Sequence, residues 1–196
     1  MQIFGIVLAA GQGTRMKSSL YKVLHPVCGK PMIDHVITAL EQSGVDRLVT
    51  IVGHGAEAVR EYLQDRTEYA LQERQLGTGH AVLQAEALLG GRDGITLVIN
   101  GDAPLVSANS LAAMVELHRA RGAAATIMTA IVDDPSGLGR IIRGEDGGID
   151  RIVEHKDCSP EQLRVREIST GLYCFDNRLL FQALKKVTNE YAQQEY

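Results

Sequence analysis

Ile3 to Leu8 form an unbroken apolar run, and the residues directly after it, Ala9-Ala10-Gly11-Gln12-Gly13, carry little side chain apart from Gln12. A short apolar run closed by glycine reads as a strand buried on both faces, the kind found in parallel sheets. Parallel strands need crossover helices, and the next segments supply them in alternation. Ile33, Val36, Ile37 and Leu40 recur at helical spacing between Pro31 and Gly44. Arg47–Val52 reads as a second strand, Ala56–Leu63 as a short helix and Tyr69–Leu71 as a further strand. Residues 79–89 predict one helix, with Val82, Ala85, Leu88 and Leu89 on one side and Gly90-Gly91 as its stop. Ile95–Ile99 is another apolar strand. Ser107 or Ser110 caps a helix bearing Leu111, Met114, Val115 and His118, and Ala124–Val132 follows as a strand. This alternation predicts an α/β fold, Rossmann-like, with a doubly wound sheet.

Beyond Val132 the pattern changes. "GRIIR" and "IDRIVEH" flank Asp146-Gly147-Gly148 and predict a hairpin, and "STGLYCF" predicts another strand. The expected organisation is a doubly wound half over 1–132 and a more antiparallel half over 133–196, joined in one mixed sheet. Ligands of such sheets bind beyond the carboxyl ends of the strands. The loops after residues 8, 52, 71, 99 and 132 are therefore where chemistry is expected.

The chain has 196 residues, enough for a core without staples. At 45% apolar and 22% charged it matches ordinary globular domains. A net charge of −4 argues against a nucleic-acid grip spread over the surface, while leaving room for a local basic cluster. Cys28, Cys158 and Cys174 are odd in number and lack a CxxC, which fits reduced thiols in a cytoplasm. The apolar start is too short for a signal peptide, and no run approaches the ~18 apolar residues of a membrane span. Neither a nucleic acid nor a membrane is an expected partner.

The loop after the first strand narrows the function. Glycine and alanine let a ligand come against the backbone, and successive N–H groups cradle anions. Arg15, Lys17 and Lys22 follow closely. A dinucleotide fingerprint and a Walker A motif both require glycine at position 16, where Met16 stands. On spacing alone, Gln72 and Gln75 read equally as surface amides, Gly77-Thr78 as a helix start, and Asp102 as a turn residue before Pro104.

The motifs "LAAGQGTRM", "KVLHPVCGKPM", "QLGTGHAV", "GDAPL", "GLGRIIR", "VEHKD" and "EISTG" occur in the order seen in sugar-phosphate nucleotidyltransferases. From residue 3 onward the chain most closely resembles the uridyltransferase domain of the bacterial bifunctional N-acetylglucosamine-1-phosphate uridyltransferase/glucosamine-1-phosphate acetyltransferase family. The resemblance implies a nucleotide-diphospho-sugar transferase fold. It implies a Mg²⁺-dependent reaction in which UTP and N-acetylglucosamine 1-phosphate give UDP-N-acetylglucosamine and pyrophosphate for cell-wall precursor synthesis.

The same resemblance distributes the roles. Leu8, Ala9, Ala10 and Gly11 line uracil and ribose. Gly11, Gly13, Thr14 and Arg15 face the triphosphate, and Arg15 and Lys22 neutralise charge on it. Gln72, with Gln75, meets the uracil edge, and Gly77 and Thr78 bring backbone against the base. Asn100, Gly101 and Asp102 end the strand beside the phosphates, with Asp102 holding the metal. Gly139, Glu154, Ser169 and Thr170 form the sugar pocket. His25 and His80 are read as structural. Ser169 stands where the family has Asn, and Tyr191 and Gln194 stand where it has Asn and Gly. The chain stops at Tyr196, before the family's second metal ligand and its acetyltransferase β-helix, which drives trimer formation. A monomer that binds nucleotide but turns over slowly, or not at all, is the resulting expectation. The alternatives are a nucleotidyltransferase for another base or sugar 1-phosphate, and a nucleotide-sugar-binding module without turnover.

Overall fold

The computed structural model describes residues 1–13, 16–53 and 55–187. They form two compact units, one of Met1–Thr126 with the chain from Tyr173 onward, the other of Ile127–Leu172.

The first unit is built on parallel strands β1 (Gln2–Ala9), β4 (Arg47–Val52), β5 (Glu68–Leu71) and β6 (Gly94–Asn100), ordered β5-β4-β1-β6. The strand β10 (Glu167–Asp176) closes this unit's sheet with its last residues, antiparallel to β6, pairing Tyr173 with Val98 and Asp176 with Ile95. Residues Phe4 to Leu8 pair with strands on both sides, which is why an unbroken apolar run serves there. Their side chains alternate between the two faces. Phe4 and Ile6 join a core with Val49, Ile51, Val82, Leu89, Val98 and Phe181. On the opposite face, α1 (Met32–Gln42) packs on β1 and against α5 (Ala108–Arg121). Gly5 makes that approach possible, because a Cβ there would lie 2.6 Å from Leu48 and 3.5 Å from Leu40.

Several element bounds follow from local chemistry. Helix α1 starts at Met32, with Pro31 as its N-cap, and Gly44 after its end has φ +86°. Ser107 is the N-cap of α5, accepting from the Ser110 N–H at 3.1 Å. The helix expected over 79–89 is two pieces, α3 (Thr78–Leu83) and α4 (Glu86–Leu89). The Gln84 side chain donates to the His80 carbonyl at 2.9 Å, and its backbone N–H turns instead to Ala81 at 3.1 Å. The helical ladder breaks there. The sequence reading also missed a small hairpin, β2 (Pro26–Val27) and β3 (Lys30–Pro31), whose turn residues Cys28 and Gly29 have φ of +49° and +82°. Between β4 and β5 lies α2 (Ala56–Leu63), and α6 (Asn177–Leu184) follows β10. Cys174 is fully buried and burial pushes its thiol up to about 12, so it packs as an inert small hydrophobe.

The second unit holds most of β7 (Ala125–Ile131), the hairpin β8 (Arg140–Arg143) and β9 (Ile149–Val153), and the first residues of β10. The hairpin pairs Arg140 with Val153 and Ile142 with Arg151, then slips register at Arg143. Its turn is held by Asp146, which accepts from the Gly148 N–H at 2.9 Å, and Gly147 has φ +77°. Among the described residues, no helix is long and apolar enough to cross a membrane.

Candidate active site

A cavity of about 300 Å³ opens in the first unit at the carboxyl ends of β1 and β6. Leu8, Ala9, Ala10 and Gly11 line it from β1 and its loop, Asn100 and Asp102 from the end of β6 and the turn after it, and Lys22, Gln72, Gln75, Gly77 and Thr78 from the connections. Val23 and Ala81 complete the lining. Parallel strands bring these residues together by ending at the same level. The Gly101 N–H donates to the Leu8 carbonyl at 2.9 Å, and the Gln72 N–H to the Val52 carbonyl at 2.8 Å.

Small residues keep the cavity open. Among the described residues, nothing beyond its chain neighbours lies within 4 Å of a Cβ built on Gly11, so that position faces open space. Gly13 does not line the cavity but supports it. Its φ is +62°, and a Cβ there would lie 2.7 Å from the Lys22 Cβ. Gly53 likewise touches Ala10, where a Cβ would come 2.8 Å from the carbonyl oxygen. Gly77, with φ +108°, takes a conformation that L residues rarely adopt and starts α3.

Two polar groups are held in place. Gln72 is 5% exposed. Its amide nitrogen donates to the Gly77 carbonyl at 3.1 Å and lies 3.0 Å from His80 Nδ1, which accepts its second proton. Among the described residues nothing donates to its carbonyl oxygen, so that atom is the free end of a fixed amide. Gln75 donates to the Ala10 carbonyl at 2.5 Å and closes the rim. His80, expected to be structural, holds the Gln72 amide, and no spacing rule signals such a contact. Lys22 forms an ion pair with Asp102, their side chains 34% and 27% exposed. This joins the chain's expected phosphate-binding cation to its expected metal-binding carboxylate.

A hard divalent cation fits this donor set. Asp102 offers a carboxylate at a strand end open to the cavity, and Mg²⁺ commonly takes one or two carboxylates with phosphate oxygens and water. Among the described residues, no three His, Cys, Asp or Glu side chains gather as a cage. Arg15 and Thr14 lie outside the described residues, as do Tyr191 and Gln194.

In the second unit, Gly139 and Glu154 are adjacent, a Cβ on Gly139 falling 3.2 Å from Glu154 Oε1. The Ser169 N–H donates to the Gly139 carbonyl at 2.9 Å, which brings Ser169 to the same place. Thr170 turns away and donates to the Met128 carbonyl at 2.8 Å.

The nucleotidyl transferase family profile matches residues 4–196. The chain belongs to that family. Among curated relatives, this nucleotidyl transferase is 60% identical to the bifunctional protein GlmU of Pediococcus pentosaceus over 191 residues, which are 97% of the chain and 41% of the relative. It is 58% identical to the GlmU of Geobacillus thermodenitrificans over 193 residues, 98% of the chain and 42% of the relative. The chain thus spans about 42% of the length of these relatives. A solved Bacillus anthracis protein, assigned as a glucose-1-phosphate thymidylyltransferase and crystallised with sucrose, superposes with a TM-score of 0.81 at 25% identity, covering 98% of this chain and 77% of that one. A UDP-glucose pyrophosphorylase complexed with UDP-glucose superposes at 0.76 with 22% identity, covering 100% of this chain and 83% of that one, and shares the fold. These neighbours agree with the mixed α/β architecture.

Proposed function

We propose that this chain is the uridyltransferase part of an enzyme that joins UTP and N-acetylglucosamine 1-phosphate into UDP-N-acetylglucosamine, releasing pyrophosphate. The observation that carries the reading is the fixed Gln72 amide. Its nitrogen is engaged by Gly77 and His80. The exposed end is an acceptor, and uracil presents an N–H donor between two carbonyls. The confined backbone of Leu8–Gly11 favours a pyrimidine over a purine. The likeness to the GlmU relatives supports the same substrates.

The reaction asks for alignment and for charge against the phosphates. Backbone N–H groups of the Gly11–Gly13 loop and the Lys22 ammonium meet phosphate oxygens, with Arg15 as a forked partner. Asp102 is the residue that would hold Mg²⁺, which when bound neutralises charge shared by the phosphates. In the second unit Glu154 and Ser169 accept and donate hydrogen bonds to sugar hydroxyls. The attacking phosphate oxygen of the sugar needs no general base, since it is already anionic.

Titration calorimetry with UTP, CTP, ATP and GTP tests the reading, together with a pyrophosphate-release assay containing Mg²⁺ and N-acetylglucosamine 1-phosphate. UTP should bind at least tenfold tighter than the purine nucleotides, about 1.4 kcal/mol, and Gln72→Ala should remove its advantage over CTP. Equal binding of all four nucleotides sinks the proposal.

A further inference from the structure

Arg140 is 1% exposed, among the largest fully buried side chains in the protein, and among the described residues it has no carboxylate within ion-pairing distance. Its Nη1 donates to the Pro135 carbonyl at 2.5 Å and also to the Leu138 carbonyl. Its Nη2 lies 3.3 Å from His155 Nδ1. Its Nε is buried without an acceptor. A guanidinium taken out of water with no ion-paired carboxylate among the described residues, and with its Nε–H unused, is a costly way to fill space, and an apolar side chain of similar volume would often be tolerated as well or better. Stability alone does not account for it.

The positions it ties together do. Leu138 directly precedes Gly139, and His155 directly follows Glu154. One planar fork therefore holds the chain on the near side of both residues, whose own spacing is tight enough that a Cβ on Gly139 would sit 3.2 Å from Glu154 Oε1. The carbonyl of Gly139 is fixed in turn by the Ser169 N–H. Asp134, at the start of the same loop, has its carboxyl held below the usual range chiefly by hydrogen bonds from Ser136 and further by the charge of Arg140. A lysine could not reproduce this, since it has no rigid fork to reach two separate segments.

We infer that Arg140 is a positioning residue for sugar recognition: it sets the Gly139–Glu154 spacing from behind, without itself touching substrate. This rests on the reading that Glu154 meets the sugar. The test is calorimetric titration of the 196-residue chain with N-acetylglucosamine 1-phosphate and, separately, with UTP. Arg140→Met should weaken N-acetylglucosamine 1-phosphate about tenfold, the worth of one charge-assisted hydrogen bond, and leave UTP affinity within about twofold. Arg140→Lys should recover only part of the loss. A variant that merely loosened the fold would weaken both ligands together. Should Arg140→Met fail to fold, His155→Ala removes only the Nη2 acceptor and carries the same expectation. Unchanged sugar-phosphate affinity in the variants overturns the inference. Sugar-phosphate binding in the wild type that Glu154→Gln leaves intact overturns the Glu154 reading, and the inference with it.

Discussion

Gly11 and Gly13 look interchangeable in a glycine-rich loop, yet their surroundings differ. Gly13 has φ +62° and no room for a Cβ beside Lys22, whereas Gly11 has open space. Gly13→Ala should therefore cost about 1–2 kcal/mol of stability by urea unfolding, since strain at positive φ adds to the clash. Gly11→Ala should leave stability within about 0.5 kcal/mol and weaken UTP, because its methyl enters the cavity. Arg15→Ala should lower pyrophosphate release roughly 10²–10³-fold, the loss typical of one transition-state donor. At this scale the residues that line the cavity were legible, since motif and strand end coincide at Leu8–Gly11 and at Asp102. The contact that holds Gln72 was not. His80 sits inside a quoted motif, as Arg140 does in the second unit, yet the partner that each side chain engages is set only by the folded chain.

Among elements, the parallel strands were easiest to read, because burial on both faces leaves continuous apolar runs such as Ile95–Ile99. The break between α3 and α4 was hidden. Residues Ala81–Leu89 contain no glycine or proline, and the helix ends because a glutamine side chain takes a ladder carbonyl. The β2–β3 hairpin was hidden too, since its turn uses cysteine at a position where asparagine or aspartate is the usual signal. The start of α6 depends on Asn177, which is fully buried. Its amide nitrogen donates to the Leu89 and Arg92 carbonyls at 2.8 and 2.9 Å, and its oxygen accepts from Thr96 Oγ1 at 2.6 Å. Asn177→Ala strands the Arg92 carbonyl and the Thr96 hydroxyl, while the Leu89 carbonyl keeps the Arg92 N–H, and should cost about 2–4 kcal/mol by the worth of buried unpaired polar groups. A chemical-denaturation midpoint that does not move would show that α6 is anchored by Leu180 and Phe181 alone.

For the whole molecule, pH acts first through His118. This ring is 3% exposed, and burial pushes its pKa below the ordinary value, with Asp176 pulling weakly upward. Its Nδ1 lies 2.8 Å from Thr126 Oγ1. In the unfolded chain the imidazole takes a proton below about pH 6.5, whereas in the folded protein it resists until lower pH. The unfolded state thus binds more protons in that window, and stability should fall as pH drops through it. Glu68 and Glu167, held below their usual range by Arg47 and Arg143, add their loss only at more acid pH, below about 4.5. Urea midpoints measured from about pH 7.5 to 5.5 should slope downward in the wild type and flatten in His118→Gln. Tyr21, the neighbour of Lys22, bears on the molecule differently: a Cβ built on Gly55 would fall 2.0 Å from its ring. Anyone redesigning this surface for solubility would take position 55 for free real estate, since it does not line the cavity beside Lys22. Decorating it would shove the tyrosine aside and tug the adjoining Lys22 ammonium away from Asp102.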